Sequence, residues 1–279
     1  MGSVKFRTYH QVEGADASRL AEQVAAQRRR VEERLGAIGR VIAIMSGKGG
    51  VGKSYVTAAI ALGLADRLPG GVGVLDADLK GPTVARLLDA SGPVRLDQDG
   101  VHPARGRSGV KVFSMDLLLE DGQPLRWNDP GHERFVWRGV LETGALREFL
   151  ADVVWGSLDL LLVDLPPGAD RLEDLAELVP NLAGALAVTI PSEESRRSVG
   201  RAMRSTLRAD VKLLGVIENM SGYACAECGR TGPLYPGDAG SALAETFGVP
   251  VVARIPFHSA AFPPAELTTL SDAVAAVFP

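Results

Sequence analysis

Cysteine is almost missing from this chain: 279 residues contain two, Cys225 and Cys228. A disulfide framework is therefore excluded as a source of stability. Aromatic residues are scarce at 5%, so the core has to be built from aliphatic side chains. Neither sign of charge dominates, because 30 Lys and Arg stand against 34 Asp and Glu for a net charge of −4. That balance gives no global attraction to nucleic acid and leaves only local patches to consider. Long apolar runs are missing too. The candidates around Leu160 to Leu165 and Leu182 to Ile190 are broken by Asp or Pro well short of the roughly 18 residues that cross a bilayer. The opening Met-Gly-Ser-Val-Lys-Phe-Arg is not followed by an unbroken apolar stretch and a small-residue cleavage site, so no secretory signal and a cytoplasmic location are expected. What is present is 46% hydrophobic and 23% charged residues, the composition of a folded globular chain, at a length that fits one large α/β domain or at most two small ones, of which one large domain is favoured.

The first forty residues differ from the rest. From Ala17 to Ile38, apolar residues at Leu20, Val24, Val31, Leu35 and Ile38 recur at helical spacing and predict an amphipathic helix. We assign residues 1–39 as a helical extension and 40–279 as the main domain. Within the latter, short β-branched or Leu-rich runs alternate with longer helical patterns. The predicted strands are Val41–Met45, Val72–Leu75, Val110–Met115, Leu158–Val163, Ala185–Ile190, Val211–Ile217 and Val251–Ile255. Helices are predicted near Gly52–Leu68, Gly144–Asp152, Leu172–Leu178 and Ser192–Arg208. Continuous rather than alternating hydrophobicity in the strands means that both faces are covered, which predicts a doubly wound, mostly parallel sheet flanked by helices. Its ligands belong at the carboxyl ends of the strands. Asp89–Gly109, Glu120–Glu133 and Ser221–Gly240 are rich in Gly, Pro or charge and read as irregular.

Directly after the first strand, Gly47-Lys48-Gly49-Gly50-Val51-Gly52-Lys53-Ser54 satisfies the phosphate-loop pattern and opens a helix, the context that motif requires. Its glycines let successive N–H groups curl around phosphate oxygens. Lys53 reaches the β and γ phosphates of a nucleoside triphosphate such as ATP, and Ser54 ligates Mg2+. A second lysine inside the loop, Lys48, cannot easily fold back onto the same phosphates, but across a face-to-face homodimer it could reach the neighbour's nucleotide. Two further strands end in carboxylates. Asp164 fits the magnesium-holding Walker B position, and Asp78 is the candidate for orienting the attacking water or touching magnesium. Asp76 is the alternative to Asp78, or simply a helix cap.

In order along the chain come GKGGVGKS, LDADLKGP, VWRG, WGSLDLLLVDLPPG, GVIENMSG and CAECG. With them the sequence resembles the Mrp/ApbC-type iron-sulfur cluster carriers, a branch of the deviant Walker A P-loop NTPases that also include MinD and ParA. The resemblance spans about Arg40 to Pro256. It implies an ATP-hydrolysing homodimer that binds a [4Fe-4S] cluster and transfers it to apo iron-sulfur proteins. It makes Lys48 the signature lysine, Lys53 and Ser54 the Walker A pair, Asp78 the switch I aspartate and Asp164 the Walker B aspartate. Asn219 falls where related ATPases contact adenine, and Cys225 and Cys228 fall on the cluster ligands. After the Walker B strand the chain reads Pro167-Gly168-Ala169-Asp170, shorter than the family's Pro-Pro-Gly-Thr-Gly-Asp and without its hydroxyl, which implies turnover that is slow or differently regulated.

On chemistry alone, the two thiolates of Cys225-Ala226-Glu227-Cys228 half fill a four-sulfur site that a second chain could complete, and such a site suits [4Fe-4S] or zinc equally. Gly229 and Gly232 argue against the helix that follows a redox Cys-x-x-Cys. Two rivals remain. One is a ParA- or MinD-like positioning ATPase, for which Arg197, Arg201, Arg204 and Arg208 would share a helical face; a solvated face is the commoner reading, so nucleic acid is unlikely as a partner. Residues Ala265 to Pro279 contain no Lys or Arg, which argues against membrane attachment. The other rival is a zinc or other-metal chaperone of the same fold. His102, His132 and His258 show no ligand spacing.

Overall fold

The computed structural model describes residues 20–69, 71–91, 94–118, 134–180, 182–225, 227–258 and 261–278. In chain order the elements are α1 (Leu20–Leu35), β1 (Ile38–Met45), α2 (Lys53–Ala65), β2 (Val72–Asp76), α3 (Val84–Leu87), β3 (Arg95–Asp97), β4 (Gly100–His102), β5 (Ala104–Arg105), β6 (Lys111–Phe113), α4 (Arg134–Asp152), β7 (Leu158–Asp164), α5 (Arg171–Leu178), β8 (Leu182–Thr189), α6 (Glu193–Arg208), β9 (Leu213–Ala224), β10 (Thr231–Gly232), α7 (Ala239–Phe247), β11 (Val251–Phe257) and α8 (Pro264–Ala275). The main sheet runs β10-β9-β8-β1-β7-β2-β6-β5, with β11 on the other edge of β9. Its β9-β8-β1-β7-β2-β6 centre is parallel throughout. The doubly wound sheet expected from the continuous apolar strands is present.

Every residue of β1 from Val41 to Met45 is buried, because helices cover both faces. Val41, Ala43 and Met45 join one core layer with Leu161, Val163 and Trp155. Ile42 and Ile44 point the other way, toward Val56, Ile60, Leu270 and Val274 of α2 and α8. The register places three strand ends side by side: Ile44 of β1 is opposite Asp164 of β7, and Asp164 is opposite Asp76 of β2.

The predicted N-terminal helix ends earlier than its apolar spacing suggested. Ile38 is the first residue of β1, after a turn in which the Gly36 N–H donates to the Glu32 carbonyl. Val31 and Leu35 are 2% and 1% exposed and belong to the core layer under α4, so this end of the helix packs into the main domain. Residues 17–19 and the Glu120–Glu133 segment lie outside the described residues. Strand β9 also runs beyond the predicted Ile217 to Ala224, and the Asp89–Gly109 region holds the short strands β3, β4 and β5. Among the described residues no helix is long and apolar enough to cross a membrane.

Leu35→Ala should lower unfolding free energy by about 2–5 kcal/mol, the cost of emptying a packed aliphatic site. Denaturant unfolding measures it. A loss below about 1 kcal/mol would mean that α1 is a detachable appendage.

Candidate functional site

The loop between β1 and α2 takes its shape from contacts on its convex side. Gly47 lies so close to the backbone of Ser198 on α6 that a Cβ would overlap it. Gly52 has φ +76°, and a Cβ there would strike the Asn219 amide. Gly50 has φ +78° too, but the direction of its missing Cβ is empty. Glycine is thus required by backbone angle at 50 and 52 and by close approach at 47 and 52. The Ser46 hydroxyl donates to the Lys48 carbonyl at 3.1 Å, and the Gly168 N–H donates to the Ser46 carbonyl at 3.1 Å, joining the loop to the segment after β7.

The concave side faces a cavity of about 410 Å3 whose lining includes Lys48, Lys53, Ser54, Tyr55, Asp78 and Pro167. The N-cap of α2 is Gly52, which has no side chain to cap it, leaving the helix's first N–H groups and the positive end of its dipole for an anion. At the cavity floor Lys53 Nζ lies 2.6 Å from Asp164 Oδ2, with the two side chains 6% and 0% exposed. The Ser54 hydroxyl donates to the same oxygen at 2.6 Å, and the Thr57 hydroxyl donates to Oδ1 at 2.6 Å. The oxygens of Ser54, Asp164 and Asp78 are the hard donors that magnesium takes, so this corner fits that ion.

The structure separates the two aspartates that the sequence left as alternatives. Asp78 lines the cavity. Asp76 is 1% exposed beneath it and accepts hydrogen bonds from the N–H groups of Asp78, Thr83 and Val84 and from the Ser114 hydroxyl. Asp76 therefore shapes the turn that carries Asp78 and caps α3 from a distance. Burial, and next the adjacent Asp164 charge, push its carboxyl up to about 7.

Asn219 is 4% exposed on β9 and donates its amide to the Val51 carbonyl at 2.9 Å, so the structure places it against the loop's own backbone. The next residue, Met220, has φ +52°, and β9 then continues outward to the cysteines. Cys225 and Cys228 occupy the turn of the β9–β10 hairpin, half-buried and exposed respectively. The Cys225 N–H donates to the Arg230 carbonyl at 3.0 Å and the Gly229 N–H to the Cys225 carbonyl at 2.9 Å, while Gly229 takes φ +69°. N–H groups of Cys228 and Glu227 directed at the Cys225 sulfur, followed by the Cys228 thiol, hold its thiol below the usual range. This donor pattern suits a sulfur that carries negative charge, as a metal-bound thiolate does.

The arginine row of α6 is largely engaged within the chain. Arg197 pairs with Glu193 at 2.8 Å, Arg208 with Glu173 at 3.5 Å, and Arg204 lies over Phe247. His102 and His258 each face a carboxylate, Asp97 at 2.7 Å and Glu266 at 2.8 Å. Sequence reasoning missed Thr57, although its position one helical turn after Lys53 puts it on the same face of α2, and it missed Ser114, which no motif marks.

The family model described as ParA: NUBPL iron-transfer P-loop NTPase matches residues 37–271. An iron-sulfur cluster carrier protein of Saccharolobus solfataricus is 36% identical over 244 residues, covering 86% of this chain and 79% of that protein. A cytosolic Fe-S cluster assembly factor, cfd1 of Aspergillus oryzae, is 35% identical over 250 residues, covering 80% and 76%. Among solved structures, the nucleotide-binding protein from Archaeoglobus fulgidus in complex with ADP superimposes with a TM-score of 0.68 at 34% identity, covering 90% of this chain and 92% of that one.

Asp76 gives this site a pH signature. Its carboxyl titrates near 7 in the folded chain and near 4 when unfolded. The folded state holds the proton more tightly between those values, so stability from this group is present at acid pH and is lost as pH rises through about 7. In nucleotide-free protein, the melting temperature of the native chain relative to Asp76→Asn should increase as pH is lowered through that value. A pH-independent difference, read by differential scanning fluorimetry, would mean that Asp76 stays ionised.

Proposed function

This chain belongs to the NUBPL iron-transfer P-loop NTPase family, and we propose that it is an ATP-binding and ATP-hydrolysing homodimer in the cytoplasm that carries a [4Fe-4S] cluster and passes it to apo iron-sulfur proteins. The observation that carries this is the path of β9. One strand holds the phosphate loop through Asn219 and, within six residues, delivers Cys225 to an exposed hairpin. Nucleotide chemistry and sulfur ligation thus sit on one mechanical element.

A [4Fe-4S] cargo takes four thiolates, and each chain offers two, so two hairpins meeting at a twofold axis complete the set. Lys48 lines the nucleotide cavity and is free of ion pairs among the described residues, which supports a role across the same axis. Binding of triphosphate draws Lys53 from Asp164 to the β and γ phosphates. Ser54, Asp164 and Asp78 would hold a magnesium ion, which would neutralise charge on the phosphate oxygens. Asp78, on the turn shaped by Asp76, orients the attacking water. Asn219 transmits the change in the loop to β9, and the cysteine hairpins tighten or release their cargo accordingly, a switch of the order or rotation kind. Engagement of most of the α6 arginines within the chain disfavours a DNA-positioning role.

Anaerobic reconstitution followed by iron, sulfide and sedimentation analysis tests the proposal. Native protein should turn brown with about four irons per dimer. A colourless zinc dimer or a strict monomer would overturn it. Cys225→Ala should lose iron and sulfide while ATP affinity stays at the native value. Lys53→Ala should weaken nucleotide binding about 10- to 100-fold, the cost of losing charge-assisted hydrogen bonds, with the cysteines still able to load.

A further inference from the structure

We propose that Thr57 is a positioning residue for Asp164, holding its carboxylate in the magnesium-binding orientation while Lys53 departs for the phosphates; this rests on the nucleotide half of the function proposed above. Thr57 is fully buried on α2, with its hydroxyl 2.6 Å from Asp164 Oδ1 and 3.1 Å from the Lys53 carbonyl. The hydroxyl has one proton, and the shorter, charged contact takes it.

The division of labour on Asp164 is unequal. Oδ2 receives both Lys53 Nζ and the Ser54 hydroxyl, each at 2.6 Å, whereas Oδ1 receives Thr57. Lys53 and Ser54 are the groups that must change partner when a magnesium nucleotide enters, one to phosphate and the other to the metal. Thr57 faces neither phosphate nor solvent, so its bond is the one that persists. The terminal torsion of an aspartate is broad and roughly twofold. Once Oδ2 loses its partners, no other hydrogen bond from the described residues keeps this carboxylate from turning, and Asp164 is wholly buried, so no water shell substitutes. A hydroxyl one helical turn from the Walker lysine ties the carboxylate's orientation to the helix that also bears Lys53 and Ser54. Partners that orient a metal-holding group characteristically contribute about 10- to 100-fold to metal affinity.

The test compares native protein with Thr57→Val, which keeps the shape and removes the hydroxyl, and Thr57→Ser, which keeps the hydroxyl. A fluorescent ADP analogue is bound first in EDTA and then titrated with Mg2+, and thermal melting verifies the fold of each variant. Thr57→Val should bind the analogue in EDTA within about twofold of native and need about 10- to 100-fold more Mg2+ for the half-maximal response; Thr57→Ser should behave as native. Where ATP turnover is measured, Thr57→Val should lose kcat with KM little changed. A native magnesium response in Thr57→Val, a Thr57→Ser protein as impaired as Thr57→Val, or an equal loss in EDTA would each overturn the positioning role. If the native protein bound the analogue in neither condition, the nucleotide site itself would fall, and the role of Thr57 with it.

Discussion

The contact between Lys53 and Asp164 is the constraint around which the rest of this molecule is arranged. An ammonium and a carboxylate, 6% and 0% exposed, meet at 2.6 Å where a phosphate loop joins a parallel sheet. Neither charge could be buried alone without a large desolvation cost, and removing one partner of such a pair typically costs about 3–5 kcal/mol. Their meeting depends on pairing of β1 with β7, which sets Ile44 opposite Asp164, and on α2 starting at Lys53. Ser54 and Thr57 complete the carboxylate's hydrogen bonds. The pair is therefore self-neutralising: each buried charge is answered by the other.

The neighbouring strand end shows the opposite economy. Asp76 sits opposite Asp164 in the sheet, equally buried, and among the described residues gathers N–H and O–H donors in place of an ion pair. Two carboxylates at adjacent strand termini thus have different duties. Asp164 holds Lys53, which lines the cavity. Asp76 is proton-retentive and organises the turn from which Asp78 reaches the same cavity. On the other side of β1, β9 is anchored at Glu218, which accepts the Gly240 N–H at the start of α7, and at Asn219, which holds Val51. Beyond those anchors the strand leaves the layered core and carries the cysteines outward, so in the function proposed here loop movement and cargo grip share one lever.

Much of this is legible in the sequence. The central strands read directly, since burial on both faces leaves unbroken apolar runs such as Leu160 to Val163. The phosphate loop read directly because its chemistry is local. Ile38 did not, since it continues the helical apolar spacing of Val31 and Leu35 although a turn at Gly36 has already ended the helix. The outer part of β9 did not either, because Asn219, Ser221 and Gly222 carry no strand pattern, and long-range pairing with β11 and β10 is what keeps them extended. Thr57 could have been found by helical spacing from Lys53; Ser114 could not, because its partner Asp76 lies on a different strand.

Residue order alone established the layered α/β class, the phosphate loop with its two lysines and the closely spaced cysteine pair, because each depends on neighbours within a turn of helix or a few residues of loop. The assignment of Asp78 to the cavity and Asp76 to its scaffold, the contact of Asn219 with the phosphate loop, and the convergence of Lys53, Ser54 and Thr57 on one carboxylate came from packing. These join residues that are distant along the chain, and only the register of parallel strands and the seating of α2 upon them bring such groups within hydrogen-bonding reach.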